Sequence, residues 1–140
     1  MISLKNIHVT FSPGTVRERK ALKGISLDIK EGQFLTVIGS NGAGKSTLLN
    51  TVSGEIFPSK GTIHIDERNV TGKPSYERSN DVARVFQDPV AGTCSDLTIA
   101  ENMALASRRG ESRGLSKALT RSLKIQFKET LKTLNLGLEE

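Results

Sequence analysis

Apolar and polar residues alternate along two stretches near the start of the chain. The first, Ile2–Thr10, breaks its alternation once, at Lys5-Asn6, and the second is Ala21–Ile29. Alternation with a period of two is typical of strands that are buried on one face only. The residues between them open with a turn signal, Phe11–Gly14, so we expect an antiparallel pair of strands.

Three further segments carry other patterns. Phe34–Ile38 is continuously apolar and rich in β-branched residues, which predicts a strand buried on both faces of a parallel sheet. Gly61–Ile65 and Val82–Phe86 also predict short strands. Lys45–Ser53 has its leucines at helical spacing, and Gly54 is expected to end that helix. The pattern therefore predicts an α/β fold with an antiparallel edge.

The second half of the chain predicts helices. Leu97–Ser107 and Lys117–Leu136 have helical patterns, and the Arg/Gly/Ser-rich segment Arg108–Ser116 is predicted to link them. Much of the net charge of +5 lies here, because Arg108–Glu140 contains eight Lys or Arg and four Asp or Glu residues. A basic run of this kind most often forms the solvated face of a helix, so no nucleic-acid partner is expected.

Length and composition set broad limits on the protein. The 140 residues fit one domain, and 36% hydrophobic with 25% charged residues is typical of a globular protein. Cys94 is the only cysteine, which excludes an internal disulfide. No secretion signal is evident, and no apolar stretch approaches the roughly 18 residues that a membrane span needs.

Residues 39–47 carry the clearest chemical signal. They read Gly39-Ser40-Asn41-Gly42-Ala43-Gly44-Lys45-Ser46-Thr47, which fits the phosphate-loop pattern G-x-x-x-x-G-K-[ST]. Successive amide N–H groups in such a loop form a concave anion site, and glycine permits the unusual dihedrals. The helix that follows directs its N-terminal N–H groups at the same phosphates.

Individual side chains of this segment have distinct expected roles. We predict that Lys45 contacts the β- and γ-phosphates of ATP and that the Ser46 hydroxyl binds Mg²⁺. Thr47 is expected to reach the α-phosphate through its hydroxyl or N–H. The pattern requires a strand before the loop and a helix after it, and the sequence predicts both.

The loop variant G-x-N-G-A-G-K-S-T resembles that of ABC ATPases, with Ser40 in place of a commoner proline. Phe11 stands where that family has an aromatic residue that stacks on adenine. Val85–Asp88 resembles the family's Q-loop, which implies that Gln87 reaches Mg²⁺ and the attacking water. Leu97–Asn102 resembles the segment that opens the family's helical subdomain. The resemblance covers nearly the whole chain.

The resemblance implies a partial ABC-type P-loop NTPase core. We expect residues 1–97 to form a nucleotide-binding core with the phosphate loop and Q-loop, and residues 98–140 to begin the helical subdomain. Thr62–Asp66 looks like an apolar strand ending in a Mg²⁺ aspartate, but it follows Lys45 too closely for the family's pattern. We therefore reject Asp66 as a metal ligand.

Several family motifs do not occur in the sequence. These are the L-S-G-G-Q signature, the apolar strand ending in Asp-Glu, and a later histidine. Phosphoryl transfer depends on positioning and charge neutralisation, and the chain would supply only the cradle, Lys45, Ser46 and Gln87. We therefore expect weak nucleotide binding and negligible hydrolysis by this chain alone. We also expect Phe34–Ile38 to lose neighbouring strands and to expose backbone edges.

The resemblance implies the ATPase subunit of a membrane transporter, acting at the cytoplasmic face of the membrane as a peripheral protein. Its partners would be transmembrane permease subunits, a second ATPase subunit and, indirectly, a substrate-binding protein. A bacterial importer fits best, with aromatic amino acids as a candidate cargo. The alternatives are a non-catalytic nucleotide-binding fragment and a soluble ABC-type ATPase of DNA repair or translation. A small GTPase would need Asn-Lys-x-Asp, which is absent.

Overall fold

The computed structural model describes residues 1–111, 114, 117–135 and 137. The chain divides into two compact units, Met1–Ala83 and Arg84–Glu140, which we describe separately. No helix among the described residues is both long and apolar enough to cross a membrane. The predicted division of the cassette after Leu97 stays a prediction.

The first unit is built on an antiparallel sheet of four strands. The strands follow one another across the sheet in the order β2-β1-β3-β4. Their bounds are β1 Ile2–Phe11, β2 Arg19–Ile29, β3 Lys60–Ile65 and β4 Arg68–Asn69. The expected pairing of β1 with β2 is confirmed. The break in alternation is also real, because the register shifts between Leu4 and Ile7 and Asn6 has a φ of 51°.

The core of this unit lies on one face of the sheet. Its fully buried residues are Leu4, Ile7, Val9, Leu22, Ile63, Ile65 and Val70. Helix α1, Lys45–Ser53, packs Leu48 and Val52 against this cluster. The helix ends as predicted at Gly54, which has a φ of 84°. Gly44, at the start of α1, lies close to β2, which is an edge strand. The loop that precedes α1 is therefore at the edge of the sheet.

Two of the predicted strands do not form within the described residues. Phe34–Ile38 and Val82–Phe86 have no strand conformation, and Phe34, Ile38 and Val85 are 91%, 88% and 97% exposed. A β-strand is stable only when its N–H and C=O groups pair with a neighbour, and no described segment pairs with either. The prediction of a buried strand before the loop is therefore wrong, and Phe34 and Ile38 are exposed instead.

The second unit contains three helices. They are α2 Pro89–Gly92, α3 Ile99–Ser107 and α4 Arg121–Lys132. Helix α3 begins two residues later than its apolar pattern suggested, because Thr98 and Glu101 form a reciprocal capping box. The Thr120 side chain caps α4, so this helix is shorter than the predicted Lys117–Leu136. Leu136 and parts of the predicted link, residues 112–113 and 115–116, lie outside the described residues.

Candidate functional site

The start of α1 has backbone N–H groups that no N-cap side chain accepts a hydrogen bond from. Gly44 is the N-cap, it makes no side-chain capping bond, and the first turn contains no acidic residue. The Leu48 N–H donates to the Gly44 carbonyl at 2.8 Å. The N–H groups before Leu48 have no intrahelical partners, as at any helix start, so this end of α1 is suited to an anion.

Gly44 is held closely against the sheet. It is buried, with a φ of 95°, and an added Cβ would lie 2.9 Å from the Ala21 carbonyl oxygen of β2. A side chain at this position would have to adopt the left-handed region and displace backbone. The second glycine of the predicted motif therefore has a structural reason: it lets the loop and β2 approach each other.

The Lys45 side chain folds back over the loop. Its ammonium group donates to the Gly39 carbonyl at 2.6 Å and to the Ser40 carbonyl at 2.8 Å. The Ala43 N–H closes a turn on the Ser40 carbonyl at 3.2 Å. The positive charge therefore lies inside the loop, where a phosphate oxygen would compete with the two carbonyls for it. Ser46 is exposed in the first turn of α1.

A second cation, Arg19, touches the loop from β2. Its guanidinium donates to the Gly42 carbonyl at 3.1 Å. Arg19 is paired across the ladder with Phe11, the last residue of β1. Phe11 is 38% exposed, so its ring is accessible at the sheet end that contacts the loop. The structure thus places the predicted base platform and the predicted phosphate site at one end of the hairpin.

The C-terminal end of α1 is held by a buried arginine that the sequence pattern did not single out. Arg78 is 0% exposed, and its guanidinium donates to the carbonyls of Thr51 and Val52 at 2.9 and 2.8 Å. It also donates to the carbonyls of Lys73 and Thr71. Burial lowers the pKa of Arg78 because desolvation disfavours the charged form.

Gln87 belongs to the second unit and has its own local setting. It is exposed and stands between Phe86, whose ring is contacted by the Arg84 guanidinium at 4.4 Å, and Asp88. The Asp88 carboxylate accepts from the Val90 N–H at 3.0 Å and caps α2. The role of Gln87 at Mg²⁺ stays a prediction.

Asp66, which we rejected as a metal ligand, lies at the opposite end of the sheet from Phe11, beside the start of β1. Its carboxylate accepts a hydrogen bond from the Met1 amino group, and this bond lowers the pKa of Asp66. In the described structure the residue therefore joins the start of β1 to the turn after β3.

The predicted site residues of the first unit thus lie together. Residues 39–47 form one loop and the start of α1. Phe11 is paired in the ladder with Arg19, and Arg19 donates to the Gly42 carbonyl of that loop. The pattern missed Arg19 and Arg78, because an isolated arginine in a sequence does not reveal which carbonyls it will contact. Only the charge of Arg19, within the basic stretch Arg17–Lys20, could have drawn attention to it.

A G-x-x-x-x-G-K-[ST] loop that opens a helix is the local arrangement of a P-loop nucleotide-binding site. Comparison with known families makes this specific: residues 22–139 match the ABC transporter model. The chain belongs to the ABC transporter family, in its ATP-binding domain, and represents part of a cassette.

Individual relatives support the same assignment. The chain is 42% identical over 119 residues to a tyrosine transport ATP-binding protein of Clostridioides difficile, covering 85% of this chain and 47% of that protein. It is 38% identical over 92 residues to the energy-coupling factor transporter ATP-binding protein EcfA2 of Clostridium acetobutylicum, covering 63% of this chain and 32% of that protein.

A solved structure confirms the fold. The ATP-binding cassette MJ0796, in a dimeric post-hydrolysis state bound to ADP and Pi, superposes with a TM-score of 0.77 at 30% identity. The match covers 97% of this chain and 58% of that one. The chain therefore spans 32% to 58% of the length of these relatives.

Proposed function

We propose that this chain binds ATP with Mg²⁺ at residues 39–47 and serves as the nucleotide site of an ABC transporter's ATP-binding subunit. The observation that carries this proposal is the uncapped start of α1, held against β2 by Gly44, with Lys45 inside the preceding loop. Family membership supports the same ligand, and the similar cassette MJ0796 is described as bound to ADP and Pi.

The residues present fit a triphosphate. The N–H groups at the start of α1 and the Lys45 ammonium group are all donors or positive charges, as an anion with several oxygens requires. On binding, Lys45 would exchange two carbonyl partners for phosphate oxygens, and Ser46 would offer its hydroxyl to Mg²⁺. Mg²⁺ would supply charge neutralisation of the phosphates. Phe11 would stack on the base.

We expect the isolated chain to bind nucleotide without appreciable hydrolysis. Its sequence lacks the signature, the Asp-Glu strand and the later histidine, while Gln87 and Lys45 are the catalytic groups that it would contribute. A non-catalytic nucleotide-binding module is the second candidate function, because residues 1–140 contain none of these three motifs.

The transport setting is proposed from the relatives. MJ0796 is described as dimeric, and a similar cassette, cbiO1 of Clostridium perfringens, is described as part of the complex cbiONQ. By analogy the partners would be a second ATPase subunit and transmembrane permease subunits, with a substrate-binding protein acting indirectly. The working place would be the cytoplasmic face of the membrane. Tyrosine or a related aromatic amino acid is the candidate cargo, after the name of one relative.

Calorimetric titration with ATP and Mg²⁺ tests the binding site. The Lys45→Ala variant should bind at least about 100-fold more weakly than the unmodified chain, because it loses charge-assisted bonds to phosphate. Lys60→Ala, which removes an exposed charge at the start of β3, should retain the affinity. Equal weakening by the two variants would show a general charge effect and would contradict a specific phosphate site.

A further inference from the structure

Arg78 is the most deeply buried charged residue of the first unit's described part. None of its surface is exposed, and four backbone carbonyls accept hydrogen bonds from its guanidinium. Burying a charge is costly unless its donors are satisfied, and here Nε, Nη1 and Nη2 all have partners. Such a residue fixes the positions of the groups that it contacts.

Two of those carbonyls belong to the last turn of α1. Thr51 and Val52 accept from Nη1 at 2.9 and 2.8 Å. The last carbonyls of a helix lack intrahelical partners and carry its negative dipole end, so a buried cation both satisfies them and complements their charge. The other two carbonyls, of Thr71 and Lys73, lie in the segment after β4. The guanidinium therefore ties the end of α1 to that segment.

Gly54 makes room for this contact. It follows α1 with a φ of 84°, and a Cβ there would lie 2.9 Å from Arg78 Nε and 2.9 Å from the Lys73 carbonyl oxygen. The opposite end of α1 is equally constrained, because Gly44 contacts β2. The helix is thus held at both ends, by close backbone contact at its start and by a guanidinium at its end.

We propose that Arg78 is a positioning residue for nucleotide binding, which fixes the orientation of α1 and thereby the amides that receive the triphosphate. This inference rests on the proposed function. Removing the guanidinium would take away the hydrogen bonds at the end of α1, so that only the contact at Gly44 and the packing of Leu48 and Val52 against the core would set its orientation. Binding would then include the cost of restoring the helix orientation, a loss of preorganisation.

The test measures the affinity of the full chain for ATP with Mg²⁺ by calorimetry, at a temperature where each variant is folded by circular dichroism. Arg78→Ala should bind about ten-fold more weakly, as expected for a lost preorganising contact. Arg78→Lys keeps the charge but cannot reach all four carbonyls in the planar geometry of arginine, so a roughly three-fold loss is expected. The lysine variant carries the test if the alanine variant does not fold.

Two controls separate positioning from a loss of stability. Ile65→Ala empties a buried site at the end of β3 and leaves the Arg78 guanidinium in place; it should destabilise the fold yet bind ATP with unchanged affinity. Guanidinium chloride, well below unfolding concentrations and compared with equal NaCl, should partly restore binding by Arg78→Ala and should leave Ile65→Ala unaffected.

The possible results have distinct meanings. If the unmodified chain binds and both Arg78 variants bind equally well, or if Ile65→Ala weakens binding as much as they do, the positioning role is overturned and the proposed function stands. If the unmodified chain shows no saturable binding, the proposed function itself fails. Weakening confined to the Arg78 variants, with rescue by guanidinium, supports the inference.

Discussion

The β1–β2 hairpin is less apolar than the segment Phe34–Ile38, yet only the hairpin forms strands. The hairpin forms an extended ladder, and its apolar residues enter the core. Phe34–Ile38 lies exposed and pairs with no described segment. The difference lies in the partner strand. β1 pairs with β2, which follows it after a short connecting segment. An apolar run without a neighbouring strand cannot pair its backbone N–H and C=O groups in a ladder. Apolar sequence alone therefore does not make a strand.

The largest expected difference is between one substitution in the hairpin and one in Phe34–Ile38. Leu4→Ala should lower the free energy of unfolding by about 3 kcal/mol, because Leu4 is 1% exposed in the core and its loss leaves a cavity. Phe34→Ser should change it by less than about 0.5 kcal/mol, because the side chain is 91% exposed. Urea denaturation of both variants measures the difference. A large loss for Phe34→Ser would mean that Phe34 is buried in solution.

The contact between the loop and β2 should be the next most sensitive feature. Gly44→Ala should destabilise the fold by roughly 2 kcal/mol and weaken ATP binding, because the new Cβ meets the Ala21 carbonyl in a left-handed conformation. Gly72→Ala is the matched control, since a Cβ there meets nothing within 4 Å. Thermal unfolding and calorimetry of the two variants should differ clearly, and identical behaviour would refute the close approach.

A smaller effect is expected at the hairpin end. Arg19→Ala removes the bond to the Gly42 carbonyl and should weaken ATP binding about three-fold, as for one exposed hydrogen bond. Arg17→Ala, in the loop just before β2, removes an equal charge without that bond and should have a weaker effect. Competition titration with a fluorescent ATP analogue can resolve the two. If Arg17→Ala weakens binding as much, only long-range attraction is involved.

The smallest expected effect concerns the second unit in acid. The Thr98 side chain and N–H donate to the Glu101 carboxylate and lower the pKa of Glu101 below its ordinary 4.5. Ionisation therefore stabilises the start of α3 above pH 4.5, and this contribution disappears as the pH falls through the lowered pKa. The protection factors of the α3 amides, corrected for the intrinsic pH dependence of exchange, should fall in that window, and Glu101→Gln should flatten the change. An unaltered pH profile in Glu101→Gln would contradict this role of the capping box.

The sequence predicted those elements whose determinants are local. The hairpin, the break at Lys5-Asn6, α1 and its end at Gly54 all follow from nearby residues, and all are observed. The pattern failed at Phe34–Ile38, because a buried strand depends on distant neighbours. It also missed Arg78, since the carbonyls that Arg78 binds are brought together only by the fold.

The central claim is that the start of α1 and its loop receive a triphosphate, and backbone amide NMR tests it residue by residue. During titration of the labelled chain with ATP and Mg²⁺, the account predicts saturable shifts that are largest at the amides of Gly42–Thr47. Saturable shifts centred on another surface, or none at any concentration that keeps the chain folded, would contradict it.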